Sequence, residues 1–117
     1  MYKDWPQIAT EMTALVKDLR GGAPDVMKAF SAMAQAALAA KALDAKTKEL
    51  IALGISVAVR CDPCIAFHAE SARKHGATRD EVMETVGTAI YMGAGPAAMY
   101  AAQAVESYDQ SVAKAGT

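Results

Sequence analysis

Glu49, Cys61, Cys64 and His68 stand in the order Glu-x11-Cys-x2-Cys-x3-His. Cysteine reacts as the thiolate, and a free cysteine has a pKa near ~8.5, so a reactive one needs neighbours that favour the anion. Backbone N–H groups and the positive end of a helix dipole do so at a helix start. An imidazole four residues after Cys64 lies on the same helical face and can take the thiol proton, directly or through water. Arg60 would help the thiolate, whereas Asp62 would oppose it. A second sulfur three residues away can form a disulfide across a turn, or attack a sulfenic acid or mixed disulfide on the first. Glu49 could hold the tautomer of His68 or relay its proton. Together these residues are the parts of two-cysteine redox chemistry.

The same residues admit other readings. Free cysteine also packs as a small hydrophobe. Cys61, Cys64, His68 and Glu49 could supply four zinc ligands, although the carboxylate comes from a different helix and no second Cys/His pair accompanies it. Covalent c-type haem requires histidine directly after the second cysteine, and Ile65 occupies that place.

The elements that must position these groups are helical. Hydrophobic residues make up 53% of the chain and aromatics 6%, and much of the apolar content is alanine and methionine. Alanine is the strongest helix former, while strand-favouring residues are sparse. Punctuation predicts five or six helices. The first covers residues 5–20, with Pro6 in its first turn, Ile8, Met12, Leu15 and Leu19 at helical spacing, and Gly21-Gly22 as its end. The second opens at Pro24 or Asp25 and carries Val26, Phe30, Met33, Ala37 and Ala40. Asp44 caps a third over 45–59, made central by the broad face of Leu50, Leu53, Ile55 and Val57. Pro63 inside a continuous helix would cost about 3 kcal/mol. The fourth helix therefore starts at Asp62 or Pro63 and ends near His75, with Gly76 as its stop. Thr78 and Glu81 form a capping box for a fifth helix reaching about Met92. Gly93-Ala94-Gly95-Pro96 breaks the chain before a sixth, from Pro96 to about Val112.

On one straight helix Glu49 would lie roughly 18 Å from Cys61. The break at Pro63 must therefore fold the fourth helix back across the third. A simple antiparallel hairpin leaves Glu49 and His68 at different heights, which calls for a steep crossing or a bridging water. Among the remaining residues, His75 is read as a structural residue at a helix C-terminus. Tyr91 and Tyr100 are read as packing residues, and the methionines as core or interface filler. Trp5 is an anchor for the first helix, with a neighbouring subunit as one place to dock. Lys46-Thr47-Lys48 is a solvated face.

The chain has 117 residues, 12.2 kDa and a formal charge of −1, consistent with one domain over 1–117. The charge balance argues against nucleic-acid binding, which draws on a basic excess. No apolar run reaches the roughly 18 residues of a membrane span. The start lacks a signal-peptide pattern, and two cysteines are too few for a secreted disulfide scaffold, so a cytoplasmic protein is expected. A chain this small with this many apolar helical faces has more to bury than one subunit covers, so a homo-oligomer is expected.

The stretch from 43 to about 108 resembles the AhpD-like alkylhydroperoxidases of the carboxymuconolactone decarboxylase-like family. The resemblance is carried by Lys48-Glu49-Leu50-Ile51-Ala52-Leu53, by Cys61-Asp62-Pro63-Cys64-Ile65-Ala66-Phe67-His68, by Ala72-Arg73-Lys74-His75-Gly76-Ala77-Thr78, and by Gly93-Ala94-Gly95-Pro96. It implies an all-α AhpD-like bundle assembled as a trimer or hexamer. It also implies hydroperoxide reduction through a cysteine sulfenic acid. Cys64 would be the peroxidatic cysteine, Cys61 the resolving one, and His68 with Glu49 the proton relay. The implied reductant is a dithiol: a dihydrolipoyl group, thioredoxin or a peroxiredoxin partner. No organic cofactor is needed for the chemical step. Pro63 stands where the best-known peroxidases of this type carry a second histidine, and the lactone decarboxylases of the wider family generally lack the cysteine pair. The expected function is a thiol-dependent hydroperoxide reductase or disulfide oxidoreductase in antioxidant defence. The alternatives are a metal-binding or redox-sensing helical module without turnover, and a non-redox lactone or small-molecule enzyme on the same fold.

Overall fold

A computed structural model describes residues 1–116. Five helices follow one another: α1 (Trp5–Gly22), α2 (Pro24–Leu38), α3 (Ala45–Ala58), α4 (Asp62–Lys74) and α5 (Arg79–Ala115). The fold is all-α, as the composition predicts. The caps form where the sequence places them. The Asp44 carboxylate accepts from the Thr47 N–H, and Thr78 and Glu81 close a reciprocal capping box. Each satisfies N–H groups that the first turn of a helix leaves unpaired.

Some boundaries differ from expectation. α2 stops at Leu38 with Ala39 as its C-cap, so Ala40 lies outside it. α1 continues through Gly21 and Gly22, and the chain turns at Ala23, whose N–H still bonds Leu19 O at 2.8 Å. Glycine costs a helix about 1 kcal/mol, too little to end one by itself. The fifth and sixth expected helices are two arms of α5 that meet at a kink, where Ala94 has φ 54° and ψ −136°. Pro96 follows in the first turn of the second arm, where its missing N–H is not needed. The left-handed residue is thus Ala94 and neither neighbouring glycine. Gly93 serves close approach instead: a Cβ there would lie 2.7 Å from the Ala97 Cβ.

α3, α4 and α5 enclose the core around Leu53, Val57, Ile65, Val82 and a run of buried alanines that let the backbones approach. Tyr108 adds a buried hydroxyl that donates to Ala77 O at 2.7 Å, tying α5 to the α4–α5 connection. Trp5 fixes α1 to this body. It is 1% exposed, and its indole Nε1 donates to Glu106 Oε1 at 2.7 Å. It therefore docks within its own chain and not on a neighbour.

α2 buries no residue, and Val26, Phe30 and Met33 are exposed, as are Leu15 and Leu19 of α1. Helical spacing puts Leu15 and Leu19 on one stripe, and both stay exposed among the described residues. The Lys46-Thr47-Lys48 segment is partly exposed, and both of its lysines are engaged. Lys46 pairs with Glu81 at 2.8 Å, and Lys48 Nζ donates to Ala37 O and Ala39 O at 2.9 and 2.6 Å, holding the C-terminal end of α2. A cation there also suits the negative end of the helix dipole. Tyr91, read as a packing residue, is 85% exposed. Among the described residues no helix is long and apolar enough to cross a membrane.

Candidate active site

α3 ends at Ala58, and the chain reverses over Val59, Arg60 and Cys61. Arg60 adopts φ 59° and donates its N–H to Val57 O at 3.2 Å, and the Cys61 N–H reaches back to Ser56 O at 3.1 Å. This tight return places Cys61 at the N-cap of α4. The Cys64 N–H donates to Cys61 Sγ at 3.3 Å, so a sulfur occupies the place where a capping oxygen usually sits. The two cysteines are joined as a disulfide, both partly exposed, in the first turn of α4. Any thiolate formed here faces backbone N–H groups that have no helical acceptor.

One turn further on, His68 Nδ1 lies 2.9 Å from Glu49 Oε2. The turn centres near Arg60, so Glu49 sits eleven residues before it and His68 eight after. Their heights along a hairpin differ by only about 4.5 Å. The two side chains span that offset themselves, and the contact is direct where a bridging water was one expectation. A carboxylate only accepts, so Nδ1 carries the proton in this pair, and Nε2 of the neutral ring keeps its lone pair. Nε2 makes no hydrogen bond among the described residues. Glu49 is 5% exposed and also lines a cavity of about 380 Å³ bounded by Ala34, Leu38, Ala45 and His75. His75 itself is the C-cap of α4, with Nδ1 donating to Ser71 O at 2.8 Å, which is the structural part expected of it. Among the described residues no three of His, Cys, Asp and Glu gather as metal ligands would.

The fold adds a group that the sequence does not announce. Lys3 Nζ donates to Asp62 Oδ2 at 2.5 Å and to Gln103 Oε1 at 2.6 Å. It also stands 5.4 to 5.7 Å from the ring centres of Tyr2, Trp5 and Tyr100. Burial works against the ammonium, but the hydrogen bond and charge of Asp62, with Tyr100 and Tyr2, outweigh it and hold the Lys3 pKa above its ordinary value. Glu106 straps this segment down, accepting from the N–H groups of Tyr2 and Lys3 at 2.6 and 3.0 Å. Asp62 is therefore paired with a cation, which its position in the sequence alone does not suggest. Lys3 and Asp62 are 59 positions apart, and Lys3 and Gln103 are 100 apart, so no local pattern could have paired them.

The family model of the carboxymuconolactone decarboxylase family matches residues 24–107. An uncharacterized protein of Cupriavidus necator is 39% identical over 109 residues, covering 93% of this chain and 96% of its own. One of Haemophilus influenzae is 41% identical over 115 residues, covering 98% and 100%. Among solved structures, a carboxymuconolactone decarboxylase family protein from Legionella pneumophila superposes with a TM-score of 0.88 at 45% identity, over 91% of this chain and 95% of that one. A family protein from Thermotoga maritima, for which involvement in an antioxidative response has been suggested, superposes with a TM-score of 0.78 at 27% identity, over 89% and 88%.

Proposed function

The chain belongs to the carboxymuconolactone decarboxylase family, and on that premise we propose that it is a thiol-dependent hydroperoxide reductase and disulfide oxidoreductase in antioxidant defence. The observation that carries this reading is the Cys61–Cys64 disulfide at the start of α4, with His68 one turn away and held by a buried carboxylate. The antioxidative role suggested for the Thermotoga maritima relative points the same way.

In this reading a thiolate of a dithiol donor attacks one sulfur of the disulfide. A second exchange then releases the donor as its own disulfide, and two electrons pass to Cys61 and Cys64. The donor is of the dihydrolipoyl, thioredoxin-like or peroxiredoxin-partner kind. His68 takes the Cys64 proton, with Glu49 steadying the imidazolium that forms. The Cys64 thiolate attacks the terminal oxygen of a hydroperoxide. An S–O bond forms, the O–O bond breaks, and the alkoxide leaves with the proton from His68. Cys61 then attacks the sulfenic sulfur, re-forming the S–S bond and releasing water. Pro63 leaves one imidazole at this corner to serve every proton transfer. Dithiol exchange needs no second one, so that half of the cycle is intact with the residues present.

The reading includes self-association. α2 and the end of α1 present Val26, Phe30, Met33, Leu15 and Leu19 to the outside, and a second copy of this chain is the partner expected to cover them.

Stopped-flow mixing of the reduced protein with several hydroperoxides tests the chemistry. Sulfenic acid should form at Cys64, followed by closure of the disulfide. Cys64→Ser should abolish both peroxide turnover and dithiol exchange, and activity surviving that change would defeat the proposal.

A further inference from the structure

Asp62 is the first residue of α4 and lies between the two cysteines in the chain. A carboxylate there favours the helix start. The same charge disfavours a second negative charge on an adjacent sulfur. The chain answers this with a cation from far away in sequence. The Lys3 ammonium bonds Asp62 and Gln103, is ringed by Tyr2, Trp5 and Tyr100, and is tied down through Glu106 and through Gln110, whose Nε2 donates to Lys3 O at 2.8 Å. The other charges at this corner are Arg60 before Cys61, His68 with Glu49 of α3 behind it, Glu106 of α5 and the amino terminus, which interacts with Glu106.

We propose that Lys3 is a positioning residue for the redox couple: by pairing with Asp62 it relieves the repulsion between that carboxylate and the thiolate at the start of α4, and so raises the reduction potential of the Cys61–Cys64 disulfide. The inference rests on the reading of these cysteines as a working redox pair. The reaction concerned is exchange with a dithiol, which gives up two electrons and becomes a disulfide as the protein's S–S bond breaks. Whatever stabilises the thiolate stabilises the reduced protein and draws that equilibrium toward it.

The test equilibrates the full-length protein in dithiothreitol redox buffers and counts free thiols by alkylation, with alkylation rate against pH reporting the thiol pKa. Lys3→Met should move the equilibrium about 3- to 10-fold toward the disulfide, or ~15–30 mV more negative, and raise the thiol pKa. Lys3→Arg should return close to wild type. Asp62→Asn should move both quantities the opposite way. A strap with only a mechanical part would move Lys3→Met and Asp62→Asn in the same direction or leave both at the wild-type potential, and either result overturns the proposal. If Lys3→Met loses its helical circular dichroism, the sign for Asp62→Asn decides alone: a raised potential upholds the proposal, and an unchanged or lowered one overturns it. A wild-type disulfide that exchanges with no dithiol would defeat the underlying redox reading. Variants superimposed on an exchanging wild type would defeat only the part given to Lys3.

Discussion

His68 Nδ1 lies 2.9 Å from Glu49 Oε2, across a hairpin whose two helices reverse in three residues. The carboxylate is almost wholly buried, and the ring is partly open to solvent. This asymmetry gives the pair its chemical sense. The buried partner fixes the tautomer, and Nε2 keeps its lone pair on a ring one helical turn beyond Cys64.

Glu49→Gln keeps the shape and removes the charge. We expect sulfenic acid formation at Cys64 to slow by about 10- to 100-fold, less than the roughly 10²–10⁴ that general acid–base catalysis supplies as a whole. Stopped-flow rates with one hydroperoxide measure this. Dithiol exchange started by an external thiolate should slow less, and equal slowing of both halves would count against the relay.

Glu106 makes stability depend on acid. Burial pushes its carboxyl up, but the N–H groups of Tyr2 and Lys3, the Trp5 indole and the amino-terminal charge outweigh burial and hold its pKa below the ordinary value. A carboxyl depressed in the folded state adds stability that is fully present above its unfolded pKa, roughly 4.3. That stability is lost as pH falls through the lower folded value. Wild type should thus weaken below about pH 5. Glu106→Gln should be weaker by about 1–2 kcal/mol at pH 7 and show a shallower acid slope. Urea unfolding at pH 7, 5 and 3 reads both effects, and parallel pH profiles would refute the assignment.

Ala94 carries the left-handed kink between two glycines. Ala94→Gly relieves a conformation that costs a non-glycine residue about 1–3 kcal/mol and gives back part of it through a more flexible unfolded chain, a net gain of about 1 kcal/mol. Gly93→Ala should act the other way by about 1–3 kcal/mol, because its Cβ would press on Ala97. Thermal midpoints of the two variants should move in opposite directions.

The uncovered face of α2 should reveal itself in solution. Sedimentation at micromolar concentration should show a species larger than the monomer, and Phe30→Glu should shift it toward smaller species with helical content retained. A wild type that sediments as a monomer would remove self-association from the proposed function.

What could be read from the chain is what depends on near neighbours. The spacing of Cys61, Cys64 and His68 places them together because α4 repeats every 3.6 residues, whatever surrounds it. The caps at Asp44 and Thr78 and the break before Pro96 are equally local, since each satisfies or denies backbone groups within a few residues. Periodicity also showed that Leu15, Leu19 and Phe30 form apolar faces, but it could not say what covers them. The pairing of Lys3 with Asp62, the docking of Trp5 against Glu106 and the reach of Lys48 to the end of α2 were decided by the folded body alone. Such contacts join segments whose separation in sequence carries no periodic signal, and they exist only once the core of α3, α4 and α5 has brought those segments to one place.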